Sequence, residues 1–470
     1  MRRWLPLAVL AMVMVVSGAN LVLAQRDDTL PEPQALRSVT TPMLSARRIP
    51  ATIAAPEAIR LLTPDLDSIV SQSPTDTCLV ASSGGRVIYE HNAALPLIPA
   101  STQKILVGAA LFEAYAPDAR FSTVLASTTE PVGGVIEGDV FLIGGGDPIL
   151  SNDSWVAQYE EQPQIHSDWE AFVDAVVASG ITQIRGRIIA DESRYDSVRY
   201  VESWPERFIT QNQTGPLSAL SLNDNIASFP EEFVSVSQHI PSTSPGTYMA
   251  RRLTDDLLAR GVSVASGPES GEAPADARVL VEFESLPVRR IVEQMVASSD
   301  NTSAELLLKE LGHADAGVGS TAEGAATVAR KLKELGAPTT GMVVVDGSGL
   351  DSGNRVTCDL LIDLLDRSGR NGDLSNALAV AGETGTLRNR FAESPAKGQL
   401  IAKTGRLNDV TALAGFVDTT PGQVVTFAYV ANDAEGVPTE LVALQTPLGE
   451  TLLTYPEGPS LDQLAPLAVG

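Results

Sequence analysis

The sequence predicts an α/β protein. One antiparallel sheet of five strands, flanked by helices, is assembled from both ends of the chain, and a smaller α/β domain is inserted into it. Three observations carry this. Two strand-like stretches lie early and three lie late, with helical texture between them. Residues 122–240 change texture to short strands alternating with turns. The helix after the first two strands is apolar on nearly every face and belongs in a core.

The elements follow in order. Met1-Arg2-Arg3 precedes a mostly apolar run from Trp4 to Ala24, which reads as an export signal over residues 1–24 with Val22-Leu23-Ala24 as the cleavage site. The run is also long enough to serve as an uncleaved membrane anchor. Residues 25–55 hold Pro31, Pro33, Pro42 and Pro50 with no apolar period and read as a linker. Thr77–Ser82 and Arg86–Glu90 form a hairpin around Ser83-Gly84-Gly85. The apolar helix then runs through Phe112 and stops at Ala116-Pro117. Within the insertion, strands are expected at Phe121–Leu125, Asp139–Ile143 and Ile184–Ala190. A helix is expected at Asp168–Ser179, with Ser167 and Glu170 as its capping box and Gly180 as its stop. Gly144-Gly145-Gly146-Asp147-Pro148 reads as a structural turn, since no strand–GxGxxG–helix context surrounds it.

Helical texture returns near Thr247. Helices are expected at Leu286–Ala297, Ser303–Leu311 and Thr321–Leu335, the first two interrupted by Ser298-Ser299-Asp300-Asn301. Strands at Leu400–Thr404, Thr411–Asp418 and Gln423–Ala431 and a short helix at Glu440–Leu448 close the fold before a tail over residues 457–470. The domains predicted are thus a discontinuous one over 56–121 and 241–456 and the insertion over 122–240.

Composition narrows the function. The chain has 470 residues, 44% hydrophobic and 19% charged, ordinary for a globular protein. Its net charge of -25 argues against nucleic acid as a partner. Of 33 basic residues only six are lysines, which draws attention to where lysine is used, because arginine supplies a surface charge but not a base. Cys78 and Cys358 allow one disulfide, and two buried thiols fit as well. The four histidines are scattered and no CxxC or HExxH occurs, so no metal or cofactor site is read.

The chemistry centres on Ser101-Thr102-Gln103-Lys104. Positions three apart share a helical face, so hydroxyl and amine can meet. Burial disfavours an ammonium, and a neutral lysine beside a serine is a base beside its nucleophile. Taken alone, the motif fits a capping serine and a snorkelling lysine equally well. Ser299-Asp300-Asn301 sits between two amphipathic helices, where a loop can enter a cleft, and Lys403-Thr404-Gly405 lies on a predicted strand. A second Ser-x-x-Lys, Ser394 to Lys397, contains a proline and is followed by glycine. Ser221-Leu222-Asn223 and Ser352-Gly353-Asn354 lie in turn-like stretches. The ordered set Ser-x-x-Lys, Ser-Asp-Asn, Lys-Thr-Gly is that of penicillin-binding proteins and class A β-lactamases.

The surrounding sequence resembles one family over about residues 56–450: Ile98-Pro99-Ala100-Ser101, Gly144 to Pro148, Pro216 to Asn225, Asp346-Gly347-Ser348-Gly349-Leu350, Gly385-Thr386-Leu387-Arg388 and Ala402-Lys403-Thr404-Gly405. These look like the class C, low-molecular-mass penicillin-binding proteins, the D-alanyl-D-alanine carboxypeptidase/endopeptidases of the S13 peptidase family. The resemblance implies a transpeptidase-like fold and a serine hydrolase without metal or cofactor. Its substrates would be peptidoglycan stem peptides, and β-lactams would acylate it. Ser101 would be the nucleophile, Lys104 its base, kept neutral with help from the charge of Lys403, and Ser299 a proton relay. Asn301 would hold Lys104 and the substrate amide. Lys403 and Thr404, with Gly405, would bind the terminal carboxylate, and the N–H groups of Ser101 and Arg406 would form the oxyanion hole. It also makes Ser221 part of a structural motif.

Two departures stand out. Arg406 occupies a position that is commonly Thr or Ser in the family. Only 195 positions separate Lys104 from Ser299, so the first of the family's inserted domains is expected and the second is reduced or missing. The rival readings are a β-lactamase, disfavoured because no Glu-x-x-Leu-Asn segment follows the second motif, and a non-catalytic wall-binding protein. An esterase would need Gly-x-Ser-x-Gly, which does not occur.

Overall fold

Residues 51–159, 164–230, 238–420, 422–458 and 464 are described in the computed structural model. The export signal, the linker up to residue 50 and most of the tail lie outside them. The first helix, α1 (Ala51–Ser71), starts inside the stretch read as linker and was not foreseen.

Strands β1 (Thr77–Ser83) and β2 (Arg86–His91) form the expected hairpin, with Gly84 and Gly85 at φ +57° and +74° in its turn. Helix α2 (Gln103–Ala114) follows, with Lys104 through Leu111 wholly or almost wholly out of solvent. Each fully buried Ile, Leu or Val there stabilises the fold by about 1.5–3 kcal/mol.

At Phe121 the chain leaves for a second sheet. It comprises β3 (Ser122–Ser127), β4 (Val140–Ile143) and, after helix α3 (Trp169–Ala178), β5 (Ile188–Asp191). Helix α4 (Pro245–Ala259), β6 (Glu269–Ser270) and β7 (Arg278–Glu284) complete it, in the order β6-β5-β4-β3-β7. Strand β7 pairs antiparallel with β3, Glu284 opposite Ser122, so the second sheet takes strands from both sides of residue 240, where the insertion was expected to end. Sequence texture cannot show this, because the partner strands lie about 150 residues apart. The two crossing points adjoin: Ser285 N donates to Phe121 O at 2.8 Å, and Phe121 N donates to Ser285 Oγ at 2.9 Å. Among the described residues, this unit has its own core around Trp169, Phe172, Leu142, Ile188 and Leu253. The cap of α3 is also corrected. Asp168, not Ser167, accepts from Glu170 N and Ala171 N, while Ser167 Oγ accepts from Leu286 N.

Four helices then pack on α2: α5 (Val288–Ala297), α6 (Asn301–Ala316), α7 (Thr321–Glu334) and α8 (Cys358–Ser368). Strands β8 (Ala379–Val380), β9 (Leu400–Arg406), β10 (Val410–Asp418) and β11 (Val424–Asn432) join the first hairpin, and helices α9 (Thr439–Ala443) and α10 (Gln445–Leu453) end the described fold. The main sheet is antiparallel in the order β8-β9-β10-β11-β1-β2. It has six strands rather than five because the two-residue β8 adds an edge beside β9. Cys78 of β1 and Cys358 of α8 form a buried disulfide with Cα atoms 6.0 Å apart, which answers a pairing the sequence left open.

Helix α6 is also tied to the second unit. Glu310, fully buried, receives Arg194 Nε at 2.8 Å and Tyr195 Oη at 2.9 Å as well as the Tyr115 hydroxyl, and Lys309 pairs with Asp196.

Candidate active site

Ser101 stands in a single 3₁₀ turn, Ala100–Thr102, that leads into α2. The buried Ala100 before it adopts φ +47°, a left-handed backbone that costs a non-glycine residue on the order of 1–2 kcal/mol. That sharp entry lets the chain rise from β2 and present Ser101, half-buried, at the head of a buried helix. Gly349 makes the entry possible. A Cβ there would lie 1.9 Å from the Ala100 carbonyl oxygen.

Lys104 is wholly buried, one helical turn after Ser101. Its Nζ lies 3.1 Å from Ser101 Oγ, 2.8 Å from Asn301 Oδ1 and 2.7 Å from Ser348 O. Three acceptors around an ammonium leave no position for water, so the side chain is oriented toward the serine by the protein alone.

Asn301 opens α6, just after the break that separates it from α5. Ser299 sits in that break at φ +60°, and Asp300 caps α6 by accepting from Ser303 N at 3.0 Å. The cap turns Asn301 inward, where its Nδ2 donates to Gln213 O at 2.9 Å while its Oδ1 accepts from Lys104. Ser299 lies two residues before Asn301, and no hydrogen bond joins it to Ser101 or Lys104 among the described residues.

The third wall is β9. Lys403 is wholly buried and its Nζ donates to Thr404 O at 2.9 Å. Thr404 Oγ1 donates to Thr386 Oγ1 at 2.9 Å. Gly405 is required by close approach, since a Cβ there would stand 2.7 Å from Pro99 O and 2.9 Å from Ala412 Cβ. The register fixes Arg406. Leu407 N bonds Val410 O across the hairpin, so strand alternation turns the N–H of Arg406 to the opposite edge, past the end of β8. Its side chain is exposed, with Nη2 donating to Val437 O at 3.2 Å.

Electrostatics separate the two lysines. Burial pulls Lys104 down to about 8, and the neighbouring carboxyls of Glu305, Asp300 and Asp346 oppose that pull only when they are ionised. Burial also holds Lys403 well below the ordinary lysine range, and the charge of Lys104 lowers it further. Burial is the larger cause of the lowering at both lysines, and the charge of each disfavours the charge of the other.

The second Ser-x-x-Lys is not at the site. Ser394 lies in a turn and its Oγ donates to Glu450 Oε1 at 2.8 Å. The triple glycine is a packing device, because a Cβ at Gly145 would lie 2.0 Å from Ser122 O. A cavity of about 760 Å³ opens beside Asn301, lined in part by Trp155, Tyr159, Asp224 and His239. Among the described residues no group of three His, Cys, Asp or Glu is arranged to hold a metal, and no helix is long and apolar enough to cross a membrane. Sequence reasoning missed the two carbonyls, of Ser348 and Gln213, because a backbone acceptor carries no side-chain signature. It also missed Glu305, although four residues after Asn301 is the spacing that returns to the same helical face.

Comparison with known proteins shows the family and the fold. Residues 63–230 and 227–446 match the D-Ala-D-Ala carboxypeptidase 3 (S13) family. The chain is 28% identical over an alignment of 507 positions to the D-alanyl-D-alanine carboxypeptidase of Actinomadura sp. (strain R39), covering 89% of this chain and 91% of that one. It is 30% identical over 459 residues to Carboxypeptidase DacB of Mycolicibacterium smegmatis, covering 91% and 92%. The crystal structure of penicillin binding protein 4 (dacB) from Haemophilus influenzae shares the fold, with a TM-score of 0.68, 20% identity and coverage of 83% of this chain and 99% of that one. A second structure of that protein, complexed with a β-lactam, gives 0.62 with 19% identity, covering 82% and 97%.

Proposed function

The chain belongs to the D-Ala-D-Ala carboxypeptidase 3 (S13) family, and on that premise we propose how its own residues carry out the reaction. The protein is a serine-type D-alanyl-D-alanine carboxypeptidase acting on peptidoglycan stem peptides. The observation that carries the assignment of roles is the contact of a fully buried Lys104 Nζ, its pKa lowered by burial, with Ser101 Oγ at 3.1 Å.

Ser101 Oγ attacks the carbonyl carbon between the two terminal D-alanines as its proton passes to Lys104. With Lys104 at about 8, roughly a tenth is neutral at pH 7. The developing oxyanion faces the N–H groups of Ser101 and Arg406, the first on an opening helical turn and the second on a free strand edge. Ser299 passes a proton to the leaving amine, the C–N bond breaks, and D-alanine departs. Water then hydrolyses the Ser101 ester by the same proton route. Asn301 holds Lys104 on one side and the substrate amide on the other. Thr404 and Lys403 take the terminal carboxylate. A carboxylate arriving beside Lys403 favours its charged form against the effect of burial.

Penicillins present a carboxylate and a reactive amide in the same relation, and they acylate Ser101. The relative from Haemophilus influenzae has been solved with a β-lactam. We further assign endopeptidase cleavage of cross-linked stems to the same site, and an extracytoplasmic location from the export signal at residues 1–24.

A fluorescent penicillin and a stem pentapeptide test the assignment together. A stable covalent label with release of D-alanine is expected. Rapid loss of the label would make the protein a β-lactamase, and absence of both label and release would make it a wall-binding protein.

A further inference from the structure

We propose that Glu305 is a positioning residue for the Lys104 base, acting through the Ser348 carbonyl. The inference rests on the assignment of Lys104 as the base. Glu305 is wholly buried on α6, one turn beyond Asn301 and on the same face. Its Oε1 accepts from Gly347 N at 3.0 Å and Ser348 N at 2.7 Å. The carbonyl of that same Ser348 accepts from Lys104 Nζ at 2.7 Å. Helix α6 therefore holds the base at two points, directly through Asn301 and through Glu305 and the 347–348 turn. The turn has no slack, because a Cβ at Gly347 would come within 2.4 Å of Ala304 O.

Glu305 does this as a neutral acid. Its Oε2 is buried without a hydrogen-bond partner, which is costly for a carboxylate oxygen. The nearby carboxyl, Asp346, is supplied with donors on both oxygens: Trp204 Nε1 and Asp351 N on one, Gly349 N and Asn354 Nδ2 on the other. Of two buried carboxyls competing for one negative charge, the one with four donors keeps it, and Glu305, with two N–H groups and the Ser348 side chain on it, keeps the proton. Burial and the Asp346 charge accordingly raise Glu305 to about 8. The other charged groups facing these residues are Asp300 and Lys403 around Lys104, and Lys309 beside Glu305. A charged Glu305 would hold the proton on Lys104; a neutral one aims the carbonyl without doing so.

The test compares Glu305→Gln, Glu305→Asp and Glu305→Ala with wild type and Lys104→Arg, in the second-order rate of acylation by one penicillin across pH. Gln keeps the acceptor oxygen without charge and should acylate within about threefold of wild type, with the midpoint of the pH profile unmoved. Asp keeps the acid but falls a methylene short, and should lose at least about tenfold. Ala should lose about 10²-fold, the scale of a misplaced catalytic group. Rescue by Gln but not by Asp is a pattern that general loss of stability would not give, and it remains readable if the Ala variant does not fold. Wild-type rates in Asp or Ala would overturn the positioning role. A midpoint at least one pH unit lower in Gln would mean that Glu305 is charged and would overturn the neutral acid. If Lys104→Arg keeps its rate, the base assignment itself fails, whereas loss there with retention at Glu305→Asp overturns only this inference.

Discussion

The free energy of the site is concentrated in Lys104. Burying an ammonium is unfavourable by several kcal/mol before compensation, and here the compensation consists of three acceptors rather than a facing carboxylate at contact distance. The result is a lysine that can give up its proton near neutrality. Two predictions belong to this scale. Acylation by penicillin should rise with pH and level off above about 8, because the neutral form accumulates as pH approaches the lowered value from below; a rate that is flat from pH 6 to 9 would contradict the base. Lys104→Arg keeps the charge but cannot be deprotonated, so it should lose the contribution of a general base, on the order of 10²–10⁴-fold. Lys403→Arg should be the milder change, weakening ligand binding more than it slows bond formation. Equal rates for the two variants, or a faster Lys104→Arg, would remove Lys104 from its role.

At the scale of elements, the site is a meeting of a helix start, a helix break and a strand edge, and each meeting depends on a local backbone feature. Gly405→Ala tests the strand edge. The added methyl would press on Pro99 O and Ala412 Cβ, so β9 must draw away from Ser101. Acylation should fall about 10²-fold with much less effect on thermal unfolding; a rate within twofold of wild type would show that the edge has room for the methyl. Much of this was legible in the sequence. Strands β1, β2, β9, β10 and β11 and helices α2, α5, α6 and α7 lie within about two residues of expectation at most ends, because their apolar periods are strong and Gly or Pro marks their limits. The cap of α3 was misread because Ser167 and Asp168 are both good caps and only the packing of Ser167 against Leu286 N decides between them. The helix at Cys358–Ser368 was missed although its own residue Thr357 caps it by accepting from Leu360 N.

For the whole molecule, the sequence order of strands gave the main sheet, while the extent of the insertion depended on a pairing that no local pattern records. Strand β7 closes the second sheet beside β3, and Phe121 and Ser285 meet at its base. Excision of residues 122–284, with Phe121 joined to Ser285 by a short Gly-Ser linker, should leave a soluble folded remainder. Excision of 122–240 should not, since it strands β7 without its partner. The remainder should acylate poorly, because Trp204, which donates to Asp346, and Gln213, which orients Asn301, leave with the insertion. Chromatography and circular dichroism of the two deletions check this, and equal solubility of both would refute the revised boundary. The disulfide adds a long-range constraint across a sequence separation of 280. Replacing both cysteines with alanine should destabilise the protein by roughly 2–5 kcal/mol in chemical denaturation.

The central claim is that Ser101, and no other serine, forms the acyl-enzyme. Mass spectrometry of the penicillin-treated protein after proteolysis tests it most directly. One adduct is expected, on the peptide containing Ser101, and none in Ser101→Ala. An adduct on Ser299 or Ser394, or labelling that survives Ser101→Ala, would contradict it.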